Sequence, residues 1–287
     1  MTPLSGKARL AGVIGWPVAH SRSPRLHGFW LQRYGIDGAY LPFAVKPENL
    51  PAALAALPLL GLRGVNVTLP HKEAALGLCA RVSEAARRIG AVNTIVVGED
   101  GALEGSNTDA FGFLEHLKAS QPSFQPESGP AVLLGAGGAA RAIAVALLDA
   151  GVPELRLTNR TGARGAALAA TLGPRVRLVD WADREAALAG ATLLVNSTTL
   201  GMTGQASLDL DLAQLPRQAI VYDIVYVPLE TPLLAAARAR GHATVDGLGM
   251  LLHQARPGFA AWFGVEPQVT PALRDFVLKD IPRSCSA

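Results

Sequence analysis

Apolar runs of strand length alternate with stretches whose apolar residues recur at helical spacing along almost the whole chain. That alternation predicts parallel sheets with helical crossovers, the pattern of an α/β protein. In the first third, Arg9–Gly15, Ala39–Val45, Gly64–Thr68 and Val92–Val97 read as strands. Between the first two, Ser23 followed by Pro24 gives an N-cap and a proline at the first helical position, and Gly35 closes the helix, so the segment reads as a βαβ unit. Residues 119–130 lose all periodicity and concentrate Pro, Ser and Gln, which marks a domain boundary or a long surface connection. A second series follows, with strands expected at Ala131–Leu134, Leu155–Thr158, Val176–Val179, Leu193–Asn196, Ile220–Asp223 and near Thr244. Thr231 with Pro232 starts another capped helix ending at Gly241, and the chain finishes in helices after Gly249.

At 287 residues the chain has room for about two domains. Hydrophobic residues make up 49% and charged residues 17%, which excludes a disordered or fibrous protein. The net charge is only +3, with Lys and Arg spread along the chain, so no nucleic-acid footprint is expected and small anionic molecules suit the mild positive balance. Cys79 and Cys285 lie far apart, and the six histidines have no metal-ligand spacing, so a reduced, cytoplasmic setting and no metal are expected. Lys7 and Arg9 before the apolar run Leu10–Val18 superficially resemble a secretion signal, but Pro17 and the polar stretch His20–Ser23 argue against one. The later apolar segment Ala131–Ala150 is interrupted by glycines and Arg141, so no membrane span is expected.

The segment Gly135-Ala-Gly-Gly-Ala-Ala140 follows the strand AVLL and opens the helix through Ala150, with Gly151 as its C-terminal cap. This is the G-x-G-x-x-A form of the dinucleotide fingerprint, in which glycines let backbone N–H groups approach a pyrophosphate at a helix N-terminus. An NAD site places an acid at the far end of the next strand. Glu154 has tempting spacing but precedes the strand LRLT, whose far end reads Asn159-Arg160-Thr161, followed by Arg164. Two guanidiniums and two small polar side chains suit the 2′-phosphate of NADP; the alternative is a solvated turn with ordinary surface arginines.

Elsewhere, Ser21 and Ser23 sit at a helix start within GWPVAHSRSP, where serines commonly serve as caps. In GVNVTLPHK, Asn66 and Thr68 share a face by strand alternation, and Lys72 falls just beyond the strand's carboxyl end, where open α/β sheets collect ligands. These segments, with Ala91-Val-Asn-Thr94, Ser106-Asn-Thr-Asp109, Tyr222-Asp-Ile-Val-Tyr226 and Asp246-Gly-Leu-Gly-Met250 through Gln254, resemble the shikimate dehydrogenase family in order and spacing from about residue 12 to 264.

The resemblance implies a two-domain α/β protein: a substrate-binding domain over residues 1–110, completed by 245–287, and a Rossmann-type NADP-binding domain over 111–244. It implies a substrate pocket of Ser21, Ser23, Asn66, Thr68, Asn93, Asp109, Tyr226 and Gln254, with Lys72 and Asp109 catalytic. On the cofactor side it implies Gly135, Ala136, Gly137, Gly138, Ala139, Asn159, Arg160, Thr161, Arg164, Ile224 and Gly247, with Glu84 at an acidic family position. His71 stands where such proteins often carry an aromatic residue. The implied reaction interconverts shikimate and 3-dehydroshikimate by hydride transfer with NADP, within chorismate and aromatic amino acid biosynthesis, in a cytoplasmic monomer or homodimer.

Oxidising a ring alcohol requires the carbinol proton to leave oxygen as hydride leaves carbon, a task that Lys72 and Asp109 suit. Serine, threonine, asparagine and tyrosine suit a ligand rich in hydroxyls, and Ser21, Ser23 and Tyr226 suit its carboxylate. A quinate or mixed quinate/shikimate dehydrogenase is the competing enzyme, and a catalytically silent ligand sensor the competing class, against which the intact Lys72 and Asp109 argue. No G-x-S-x-G or Walker sequence supports a hydrolase or a kinase.

Overall fold

The computed structural model describes residues 4–279 and 281. The chain forms two compact units, one of Met1–Asp109 with Leu252–Lys279, the other built on Ala110–Leu251. Residues 245–251, expected with the first unit, group with the second. The aperiodic residues 119–130 lie within the second unit, as a connection containing a single 3-10 turn, and the chain changes unit earlier, after Asp109.

The first unit contains β1 (Arg9–Gly15), α1 (Ser23–Arg33), β2 (Gly38–Ala44), α2 (Leu50–Leu59), β3 (Leu62–Val67), α3 (Lys72–Leu76), β4 (Arg81–Val82), α4 (Glu84–Ile89), β5 (Thr94–Val97) and β6 (Leu103–Ser106). Its sheet runs β2-β1-β3-β5-β6-β4. Strands β1, β2 and β3 are parallel, but β5 is antiparallel to both β3 and β6, so the expectation of parallel sheets fails here. The β5–β6 pair is a hairpin closed by the turn Gly98-Glu-Asp-Gly101: Gly101 adopts φ +77, and the Gly98 N–H donates to the Ala102 carbonyl. Strands β4 and β6 were not expected, because β4 is two residues long and β6, LEGS, has a single large apolar residue to read.

Helix α1 also departs in one detail. Ser23 is itself helical, and the Ser21 Oγ accepts from the Ser23 N–H at 3.3 Å, so Ser21 does the work expected of Ser23. Gly35 closes the turn after the helix with φ +61, which only glycine adopts readily. Beneath the sheet, Ile14, Leu54, Val65, Val67 and Ile95 form one core. Against its other face, helix α9 (Leu248–Phe263), which enters this unit at Leu252, brings Phe259, Trp262 and Phe263 to Trp30, His27 and Tyr40.

In the second unit, α5 (Asp109–Ser120) leads to β7 (Ala131–Leu134), α6 (Gly138–Asp149), β8 (Leu155–Thr158), α7 (Gly162–Leu172), β9 (Val176–Val179), β10 (Leu193–Asn196), β11 (Ile220–Asp223), α8 (Pro232–Ala239) and β12 (Ala243–Val245). The sheet is wholly parallel in the order β9-β8-β7-β10-β11-β12. Counted from β7 this is 3-2-1-4-5-6, the doubly wound order, with its reversal beside the carboxyl end of β7. Both faces are covered: Ala131, Leu133, Leu193 and Val195 enter one core, and Val132, Leu134 and Leu194 enter the other. That is why these strands read as unbroken apolar runs. The final helix, α10 (Pro271–Leu278), is capped by Thr270, whose Oγ1 accepts from the Leu273 N–H at 3.2 Å. Cys285 lies outside the described residues.

Candidate active site

In the first unit the site grows from the carboxyl ends of β1 and β3. The chain leaving β3 turns through Leu69-Pro70-His71 into α3, whose first residue is Lys72. His71 is buried, with its Nε2 2.7 Å from the Val45 carbonyl oxygen, so the position expected to be aromatic is filled by a ring held in the turn. Lys72 Nζ donates to Asp109 Oδ2 at 2.5 Å, with side-chain exposures of 16% and 7%. The other carboxylate oxygen accepts from Asn93 Nδ2 at 2.8 Å. The pair is therefore held from both sides while Lys72 keeps some access to solvent.

Asn93 is a hub. Its amide group donates to Asp109 and Thr108, and reaches Gln254 Oε1 at 3.4 Å. Its Oδ1 accepts from the Thr108 N–H at 2.8 Å and from Thr94 Oγ1 at 2.9 Å. Asn66 Nδ2 donates to the Asn93 carbonyl and to Thr94 Oγ1. Buried polar side chains need such partners, since each left unsatisfied costs about 1–3 kcal/mol. The hub thus brings together Asn66, Lys72, Asn93, Asp109 and Gln254, and adds Thr94, Thr108 and Asn107, whose Oδ1 accepts from the Asp109 N–H. Asn107 and Thr108 were visible in the segment Ser106–Asp109 but carried no chemistry of their own there. Thr68 lies just past β3, with its methyl against Gly15. Ser21 and Ser23 start α1 in the same unit.

In the second unit, the glycine turn follows β7. Gly135 has φ +110, and a Cβ there would stand 2.7 Å from Ser197 Oγ, so a side chain is excluded twice over. Around Gly137 there is open space, and this N-cap residue gives α6 no side-chain cap bond. At the far end of β8, Asn159 Nδ2 donates to the Thr161 carbonyl at 2.8 Å, and Arg160, Thr161 and Arg164 are exposed. Thr158 Oγ1 is buried there without a partner among the described residues. Glu154 pairs with Arg156 at the opposite end of that strand, which removes it from the position of a ribose-binding acid. Gly247 packs onto Ile224, where a Cβ would meet the Ile224 carbonyl at 2.1 Å. Tyr226 lies in the loop after β11, also in this unit, whereas Glu84 begins α4 in the first.

Asp223, at the end of β11, was not picked out by sequence. It is fully buried and accepts from Asn196 Nδ2, the Val225 N–H and Thr231 Oγ1, so it ties the Ile224–Tyr226 loop to α8. Burial pushes its carboxyl up to about 6, against the pull of those three donors. A folded pKa above the unfolded value near 3.9 means stability that is full below pH 4 and lost as pH rises through 6, about 1–3 kcal/mol. Asp223→Asn reproduces the protonated form. Its melting temperature should match the parent's below about pH 4 and gain on it progressively toward pH 7; a difference that does not change with pH would refute the assignment.

A doubly wound parallel sheet with a bare glycine turn, carried in one chain with a buried lysine–carboxylate pair, is the equipment of the nucleotide-dependent dehydrogenases. The particular family follows from comparison. Family models for the shikimate dehydrogenase substrate binding domain and for shikimate/quinate 5-dehydrogenase match residues 13–95 and 119–220. A shikimate dehydrogenase (NADP(+)) of Paramagnetospirillum magneticum is 66% identical over 275 residues, covering 96% of this chain and all of its own. Shikimate 5-dehydrogenase from Thermus thermophilus, solved with NADP(H) and shikimate, is 41% identical with a TM-score of 0.84, covering 94% of this chain and 99% of its own. A quinate dehydrogenase from Corynebacterium glutamicum, solved with NAD, is 35% identical with a TM-score of 0.88, covering 95% and 99%. This chain belongs to the shikimate dehydrogenase family.

Proposed function

We propose that this protein is an NADP-dependent shikimate dehydrogenase that interconverts shikimate and 3-dehydroshikimate, serving aromatic amino acid biosynthesis in the cytoplasm. The observation that carries the reaction is the Lys72–Asp109 pair, 2.5 Å apart and fixed by Asn93. Lys72 and Asp109 take the carbinol proton as the ring carbon is oxidised, and return it in the reverse direction. NADP, when bound, supplies the hydride acceptor. Gly135–Ala139 hold its pyrophosphate against the uncapped start of α6, with Ile224 and Gly247 nearby in the same unit. Asn66, Asn93, Asp109 and Gln254 read ring hydroxyls, with Ser21, Ser23, Thr68 and Tyr226 completing the substrate set and Glu84 an outlying acid on the cofactor side. Ser21, Ser23 and Tyr226 meet the substrate's carboxylate with hydroxyl donors.

The cofactor choice rests on the end of β8, where Asn159 stands in place of the acid that an NAD enzyme uses for the ribose. Arg160 and Arg164 are exposed there, ready for charge-assisted bonds to a 2′-phosphate at about 1.5–3 kcal/mol each. NADP should accordingly be preferred over NAD by at least roughly tenfold, and Arg160→Ala should weaken NADP alone. The test is kcat/KM for shikimate and quinate with each cofactor, in the parent and the variant. Equal use of NAD and NADP by the parent, or an equal loss with both in the variant, would dismiss this turn as the reader of the phosphate. Preference for quinate with NAD would instead favour the quinate enzyme.

A further inference from the structure

Tyr40 occupies β2, two strands away from Asn66 on β3, and Ala11 is its register partner on the intervening β1. Adjacent strands lie about 4.8 Å apart, so only a long, stiff side chain spans that gap, and Ala11 places no more than a methyl in its path. Tyr40 Oη reaches Asn66 Oδ1 at 2.6 Å, a buried bond. The direction of that bond is fixed by the neighbours. Asn66 Nδ2 faces the Asn93 carbonyl, which can only accept, so Oδ1 faces the phenol and the phenol donates.

The ring itself is clamped. His27 stacks on it with centroids 3.9 Å apart and planes 2° from parallel, and Trp262 lies against it at 6.0 Å. Burial pushes the His27 imidazole down to about 3, and neither ring nitrogen makes a hydrogen bond among the described residues, so the stack carries no charge at neutral pH and takes no lone pair from Asn66. Burial likewise raises the Tyr40 phenol, with Ser23 opposing, so the proton needed for donation to Asn66 stays in place. Both N–H groups of Asn66 are spent within the protein, on Asn93 and Thr94, which leaves a lone pair on Oδ1 as its offer to a ligand.

We infer that Tyr40 is a positioning residue for substrate recognition, holding the Asn66 amide so that Oδ1 accepts from a ring hydroxyl of the substrate. This rests on the proposed shikimate reaction, and the parent enzyme's turnover of shikimate with NADP tests that reading separately. Tyr40→Phe keeps the ring stacked on His27 and removes only the hydroxyl. It should raise the KM for shikimate about threefold to tenfold, the worth of one hydrogen bond, with kcat within about twofold and the KM for NADP unchanged. If Tyr40 acts through Asn66, Tyr40→Phe combined with Asn66→Ala should be no worse than Asn66→Ala alone. A set of shikimate analogues each lacking one hydroxyl, assayed on the parent and Tyr40→Phe, serves even where Asn66→Ala does not fold. One analogue should abolish the difference between the two proteins. An unchanged KM for shikimate, a parallel rise in both KM values, additive losses in the double variant, or a penalty that persists with every analogue would overturn the inference.

Discussion

Lys72→Ala should lower turnover by roughly 10²–10⁴, the worth of a positioned acid–base group, with a smaller change in the KM for shikimate. The lysine's partner stays in place, because Asp109 keeps the bond from Asn93 and the N–H contact to Asn107. What is lost is the nitrogen at the open side of the pair. Asp109→Asn should cause a loss of the same order, and the double variant should fall no further than the worse single, since two residues that pass one proton act as a unit. Steady-state kinetics on variants whose melting curves remain cooperative would decide it. Near-normal turnover in a folded Lys72→Ala protein would remove Lys72 from the chemistry.

Gly64→Ala is expected to have the largest effect on stability. Gly64 has φ +150, and a Cβ there would lie 2.0 Å from the Ile95 carbonyl oxygen and 2.3 Å from Trp262 Nε1. That approach is what lets the Trp262 indole donate to the Ile95 carbonyl at 3.0 Å. The methyl must displace either the β5 backbone or a fully buried indole, and it also strains its own backbone. A loss of more than about 4 kcal/mol follows, seen as a fall in melting temperature of about 10 °C or as failure to fold. Gly64 shares its strand face with Asn66, so a variant that does fold should also bind shikimate poorly. A melting temperature within a few degrees of the parent's would contradict this account.

Sequence reading reached most where the determinants are local. Three strands of the second sheet, β7, β10 and β11, are largely apolar runs, and six short segments in register carried the family resemblance. It reached least where a partner is distant in sequence. Nothing around Tyr40, in the run AYLPFAV, announces a hydroxyl that meets Asn66, 26 residues on. His27 reads as an ordinary helix residue until its ring is seen against Tyr40. Asp223 lies within the segment Tyr222–Tyr226, yet one of the donors that hold its carboxylate is Asn196, 27 residues earlier. The bonds of Asn93 to Asp109, Thr94 and Thr108 likewise join separate segments, and only the assembled strands and helices reveal them. The antiparallel β5 escaped because Val92–Val97 has the same apolar look whichever way its neighbours run.

The division of the chain has a consequence for how the molecule is made. Ala110–Leu251 is one uninterrupted run, whereas the other unit is closed only by Leu252–Lys279. Domains fold as units during synthesis, so the middle of the protein has all the strands of its sheet while the earlier part still waits for the helix that covers its own. The bond from Trp262 to Ile95 joins residues 167 positions apart. Until Gln254, Phe259 and Trp262 emerge from the ribosome, one side of the first sheet faces water, with His27, Trp30 and Tyr40 uncovered. The sheet that carries Asn66 is therefore covered only after every strand of the second sheet has been made.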